Sequence, residues 1–341
     1  MSDQDVTSST YTCAWCHQTS DGSTTTCPSC GAPVDLRQRT STSGWTQLPP
    51  VPDMTRIQFG RSSCQIEGAY VPAADMGLAG DDTVYFSHHV LLWQDPSVEL
   101  SPLPLKGAWN RMIAGMPLVM LQAAGPGHIA FSRDAPGELV VVPLQPGSAV
   151  DVRENHFLVA SSPVGYDWYE TGVWFTTSGS GGGRQSSPRS SGMGLLKMGL
   201  DLANVDSDSV LNTIGGGGGG GGGDTEWHYP VGRYMDRFHA ASVPGLLLLH
   251  ASGNAFVRTL AAGETIMVKP PALLFKDPTV GMQLHVEYPR SGVQFWRSWG
   301  NRYLWLRMWG PGRVAVQSAY EALEDPGTAF QATSGHTEYR W

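Results

Sequence analysis

The sequence predicts an all-β fold built from three internal repeats, behind a small cysteine-bearing module. Three observations predict it: a strand-turn-strand cassette that recurs along the chain, glycine turns flanked by β-rich runs, and four cysteines within 18 residues. The 341 residues are 41% hydrophobic and include 12 Trp, so a sizeable core is available despite 42 Gly and 24 Pro. That composition excludes a wholly disordered chain. With 15% charged residues and a net charge of −8, the chain does not read as a protein that coats nucleic acid.

The cysteine module comes first. Cys13-Ala-Trp-Cys16 is followed after ten residues by Cys27-Pro-Ser-Cys30-Gly31. Each C-x2-C turn aims two thiolates at one point, and two such turns supply the four soft ligands of a closed tetrahedral Zn²⁺ site. Such a site keeps no position open for substrate, so the metal is structural. The segment is too short to bury a core, and metal binding would provide most of its folding free energy. Cys13 to His17 also reads C-x-x-C-H, but haem attachment needs export, and the polar start MSDQDVTSST has no apolar signal region. A thioredoxin-like pair would want a βαβ context, and disulfides are disfavoured in a reducing cytosol. Cys64 stands apart and reads as a small apolar residue. Residues 1–34 form this module; residues 35–55, rich in Ser, Thr and Pro, read as a flexible linker.

Residues 56–320 hold the repeats. TVYFSHHVLLWQDPSV at 83–98 aligns without a gap to TIMVKPPALLFKDPTV at 265–280, matching Leu91 with Leu273, Trp93 with Phe275 and Asp95 with Asp277. A weaker third copy, AVDVRENHFLVASSPV, lies at 149–164. After the cassettes come paired β-rich runs around a glycine turn, Val119 to Phe131 through Gly125-Pro-Gly127 and Leu304 to Val316 through Gly310-Pro-Gly312. Leu247 to Val257, turning at Gly253-Asn254, is read as the third. Residues 177–226, with an unbroken glycine run from Gly215 to Gly223, cannot offset the entropy of ordering and read as a disordered insertion in the second unit. Residues 321–341 read as a polar, largely unstructured tail. Units of this kind should pack around a pseudo-threefold axis or as stacked sheets.

In form the cysteine module resembles the short zinc ribbons over residues 11–34. GPGHIAFSRDAPGELVVVPLQPGSAVDVRENHFLVAS, PGLLLLHASGNAFVRTLAAGETIMVKPPALLFKDPTV and WGPGRVAVQS resemble bacterial relatives of the altered-inheritance-of-mitochondria protein family, over roughly residues 57–319 without the insertion. The resemblance implies a β-sandwich or double-stranded β-helix like that of the tryptophan RNA-binding attenuator protein superfamily, and a homo-oligomer. Mitochondrial members of the family are linked to inner-membrane organisation and respiratory-complex integrity. No catalytic residues carry over. The ribbon, the glycine-rich insertion and the lack of a targeting sequence set this chain apart, and favour an adaptor over a mitochondrial role.

Catalytic patterns are not apparent. A cupin-type metal site needs several imidazoles and a carboxylate on facing strands. His88 and His89 are adjacent and would point to opposite faces of a strand, while His128, His156, His239, His250 and His285 are scattered. His285-Val-Glu287 reads as a surface hydrogen-bonding pair. No G-x-S-x-G elbow or phosphate-loop motif occurs. One cluster is unusual: Phe295, Trp296, Arg297, Trp299, Arg302, Tyr303, Trp305, Arg307 and Trp309. On a strand, Tyr303, Trp305, Arg307 and Trp309 share one face while Leu304, Leu306 and Met308 share the other. Those aromatics suit packing against another unit, an oligomer or partner interface built on Trp296, Trp299, Tyr303, Trp305, Arg307 and Trp309, or base stacking.

The functional expectation is a non-enzymatic, cytoplasmic scaffold or adaptor. It would form a homo-oligomer and use Cys13, Cys16, Cys27 and Cys30, holding Zn²⁺, to recruit a protein partner. The alternatives are an RNA or single-strand binding module, disfavoured by the acidic charge, and a small-molecule-binding β-helix. The longest apolar run, Leu246 to Leu249, is far short of the ~18 residues of a membrane span, which leaves room for peripheral membrane association at most.

Overall fold

The computed structural model describes residues 10–12, 16, 18–21, 26–31, 43–103, 120–178, 225–287, 303–321, 323 and 330–334. Its regular elements are antiparallel strands and two short 3-10 turns, so the all-β class holds.

Three units of six strands follow one another. The first comprises Ala73–Leu78, Thr83–Ser87, Leu91–Gln94, Glu99–Pro102, Met120–Ala124 and Gly127–Phe131. The second comprises Gly137–Leu144, Ala149–Arg153, Phe157–Ser161, Val164–Glu170, Tyr234–Ala240 and Gly245–Ser252; the third comprises Ala255–Leu260, Thr265–Val268, Leu273–Lys276, Gly281–Glu287, Tyr303–Trp309 and Gly312–Gln317. In every unit the sixth strand lies between the first and third. The fifth lies between the second and fourth. A unit is thus two half-sheets, and the halves of successive units join: the third strand of unit two pairs with the second strand of unit one, and the third strand of unit three with the second of unit two.

The result is a stack of four sheets. A five-stranded sheet, extended by the hairpin of Thr55–Phe59 and Ser62–Glu67, covers a six-stranded sheet; this covers a seven-stranded one, and a three-stranded sheet closes the far side. Three apolar clusters fill the spaces between them. Met76, Ile129 and Phe131 meet Phe86 and Leu248 in the first space, Leu247 and Leu249 meet Val150 and Phe238 in the second, and Met235 and Val314 meet Leu284 and Leu306 in the third. Leu246 to Leu249 are all buried because alternate residues of this inner strand face different clusters. The stacked arrangement, not packing around an axis, is the one the chain adopts.

Several local expectations change. The chain between 43 and 55 is docked: Thr46–Gln47 pairs with Phe256 and Val257, and Trp45, Leu48 and Val51 pack against the three cores. These apolar side chains and an open sheet edge override the linker-like composition. The Gly253 turn joins unit two to unit three, so it is not equivalent to the two Gly-Pro-Gly turns. The equivalent passage in unit two leads from Tyr234–Ala240 to Gly245–Ser252 in the neighbouring sheet through Ala241-Ser242-Val243-Pro244, a turn without glycine. His88 and His89 sit in a 3-10 turn, His88–Val90, not on a strand. His285 is buried, so His285-Val-Glu287 is not a surface pair.

The longest connection in each unit joins the fourth and fifth strands, at 103–119, 171–233 and 288–302. In unit two it carries strands Phe175–Ser178 and Thr225–His228, which pair with each other and reach into both ends of the expected insertion. Residues 179–224, the glycine run among them, lie outside the described residues. Within the polar tail, Phe330–Thr333 adds a strand to Phe175–Ser178.

Candidate functional site

The N-terminal hairpin pairs Thr10–Thr12 with Thr19–Asp21, with Cys16 in the chain between them. In the second knuckle the Gly31 N–H donates to the Cys27 carbonyl at 2.8 Å, with Gly31 at φ 71°, a conformation that glycine reaches without cost. The Sγ atoms of Cys16, Cys27 and Cys30 all lie within 4.8 Å of one another, and Cys16 and Cys27 are 3.6 Å apart. Four thiolates about 2.3 Å from a central Zn²⁺ would be separated by about 3.8 Å, so this set fits a tetrahedral thiolate site. Hydrogen bonding from the Cys30 backbone, opposed by burial and reinforced by Ser29, lowers the Cys27 thiol to about 6. A thiol so lowered is largely thiolate at neutral pH, the form that ligates metal. Cys13, the fourth expected ligand, lies outside the described residues.

The aromatic strand Tyr303–Trp309 is central in the three-stranded outer sheet. Leu304, Leu306 and Met308 enter the third core, and Tyr303, Trp305, Arg307 and Trp309 turn outward, as the period-two pattern requires. The Lys269 ammonium lies 4.4 Å from the Trp305 ring centroid and 5.1 Å from that of Tyr303, and Trp305 Nε1 donates to Glu287 at 2.8 Å. A stacking base would have to displace Lys269 from these rings. The Trp309 ring lies over Gly281, where a Cβ would collide with it. Trp296 and Trp299 lie outside the described residues.

Two buried polar groups were not anticipated. Asp151, fully buried, accepts from Arg237 Nε at 2.6 Å, Lys276 Nζ at 2.8 Å and the Tyr169 hydroxyl at 2.9 Å. Burial raises its pKa, but the Arg237 hydrogen bond and the Lys276 charge outweigh that and hold the carboxyl below its usual range. The repeat alignment carried a signal for this site: Asp151 and Lys276 are charged where the aligned residues are Tyr85 and Met267, and Gln94 and Ala160. The second group is His156 with His250. His156 Nδ1 lies 3.0 Å from the His250 carbonyl and His250 Nε2 lies 3.0 Å from the Ala135 carbonyl, so each ring donates to a carbonyl as the neutral form. Burial pushes His156 down to about 4.

An open groove of about 860 Å³ runs between the Thr55–Glu67 hairpin and unit two, lined by Ile57, Phe59, Val141, Pro143 and Leu246 with Ser161 and Ser162. Ser161 Oγ accepts the Leu246 N–H at 2.9 Å, and no imidazole lines the groove. Among the described residues no helix is long and apolar enough to cross a membrane.

These features define an all-β repeat protein with a clustered-cysteine module at one end. The family model of AIM24, described as mitochondrial biogenesis AIM24, matches residues 64–200 and 234–319, and the chain belongs to that family. No curated protein matches. Among solved structures, the crystal structure of protein SPYM3_0169 from Streptococcus pyogenes is similar at 13% identity, with 76% of this chain and 94% of that chain covered and a TM-score of 0.47.

Proposed function

We propose that this chain is a non-enzymatic scaffold or adaptor that displays a zinc ribbon on an oligomeric β domain and recruits a protein partner through that ribbon. The observation that carries the reading is the convergence of three thiols, one of them buried and lowered toward thiolate, in a module whose described residues enter none of the three cores. Zn²⁺ is the metal that four-thiolate sites of this spacing favour, and with every position occupied by sulfur it would fold the ribbon and offer no chemistry to a substrate. The β domain contributes shape. Asp151 is met by Arg237, Lys276 and Tyr169, and His156 and His250 are each bonded to a carbonyl, so these buried groups serve the joining of the sheets. An attenuator-protein-like assembly in the cytoplasm is part of the same reading.

Native mass spectrometry of the full chain tests it. The expected outcome is a defined oligomer with about one Zn²⁺ per chain, and a Cys27→Ser chain that loses the metal while keeping the oligomer. A monomer, or a particle arriving with bound RNA, would overturn the scaffold reading.

A further inference from the structure

The join between units follows one rule, and the rule is used twice where three units could use it three times. Val159 of unit two faces Phe86 of unit one and Ala160 faces Tyr85. Phe275 of unit three faces Val152 of unit two and Lys276 faces Asp151. In the repeat alignment these are the same positions, so both joins have one register. The remaining third strand, Leu91–Gln94 of unit one, and the remaining second strand, Thr265–Val268 of unit three, each pair on one side only and end their sheets, with no strand on the other edge among the described residues. They lie on the two outer layers of the stack and do not pair with each other.

Side-chain exposure marks both edges as unfinished. Leu92 and Trp93 are 52% and 45% exposed, whereas their equivalents Leu158 and Val159 are both 0% exposed and Leu274 and Phe275 are 0% and 3%. Met267 is 39% exposed against 4% for Tyr85 and 0% for Asp151. Apolar side chains on an open edge strand form a template for pairing with another chain. The chemistry the edge calls for is written at the two internal joins: each third strand takes a second strand of this same repeat.

We infer that a second copy of this chain supplies the missing strand, so that Leu91–Gln94 of one copy pairs antiparallel with Thr265–Val268 of the next, placing Trp93 opposite Val268 and Gln94 opposite Met267. The five-stranded and three-stranded outer sheets of neighbouring copies then merge into one, with the strand order of the two inner sheets. Each copy presents one complementary edge on each outer layer, so the contact is heterologous and propagates to a ring or closes reciprocally in a dimer. This deepens the scaffold reading by naming the assembly contact, a sheet edge distinct from the aromatic face of Tyr303–Trp309.

Mixing full-length Gln94→Cys and Met267→Cys chains under mild oxidation tests the register, because directly opposed residues bring their Cβ atoms to about 5 Å while diagonal neighbours stand about 7–8 Å apart. A disulfide between positions 94 and 267, mapped by peptide mass spectrometry and several-fold above that of a Gln94→Cys and Thr265→Cys mixture, is expected. Trp93→Asp, at an exposed position that keeps the fold, should weaken self-association at least about tenfold. An oligomer that resists Trp93→Asp and forms no such link, but falls apart on Trp309→Asp, would overturn the edge pairing and leave the scaffold reading intact. A monomeric wild-type chain would overturn both.

Discussion

Asp151 and Lys276 occupy facing positions where units two and three join, and the charge there is held by geometry that an apolar pair would not need. With Lys276 also buried, removing one partner leaves the other charged in a low-dielectric space, a loss of about 3–5 kcal/mol. Asp151→Ala should therefore lower the denaturation midpoint strongly. A Lys276→Met chain should suffer less, because Arg237 and Tyr169 still serve the carboxylate; chemical denaturation of the two variants compares these losses. The aspartates of the repeated D-P-[ST]-V turns do a different task. Asp95 accepts the His128 N–H and Asp277 the Arg313 N–H, both at 2.8 Å, so each ties its own cassette to the Gly-Pro-Gly turn that follows. The recurrence of Asp95 and Asp277 was legible in sequence; their hydrogen-bond partners, 33 and 36 residues away, were not.

At the scale of elements, the outer strand Tyr303–Trp309 shows how far alternation reaches. Its two faces were assigned correctly from the period of two alone, but that the aliphatic face is the buried one depended on the sheet lying beneath it. The strand's last residue sets a demand on its neighbour. Trp309 covers Gly281 so closely that Gly281→Ala must displace the indole, at about 1–3 kcal/mol. The expected outcome is a lowered melting temperature for Gly281→Ala that Trp309→Ala partly relieves, read as a coupling energy in a double-mutant cycle. The turn of unit two was misplaced for a related reason. Gly253 has the backbone of a turn residue, at φ 68°, yet it serves the passage between units, and the turn of that unit that passes from its fifth strand to its sixth lacks the glycine that marks its counterparts.

Across the whole molecule, both inner sheets are covered on two sides, which makes acid a sensitive probe of the stack. His156 is lowered from 6.5 to about 4, so the unfolded chain binds the proton first. Its contribution to stability is complete above pH 6.5 and is lost as the pH falls toward 4, an effect approaching about 3 kcal/mol. His250, lowered in the same direction by burial, adds to the same window, and Asp151, also lowered, extends the loss below the usual carboxylate range. Melting temperatures should fall steadily from pH 7 to pH 4, and the slope should be shallower for His156→Gln; an unchanged slope would show that the imidazole takes up its proton alike in the folded and unfolded chains. The sequence by itself determined the β class, the cysteine cluster and the matching of the first and third cassettes, because ligand spacing, period-two alternation and turn chemistry are local properties. Only the tertiary structure decided that the units share sheets, that charge is buried at one join, and that two strands end their sheets among the described residues, because strand partners come from residues far apart in the chain and are selected by which faces can be buried together.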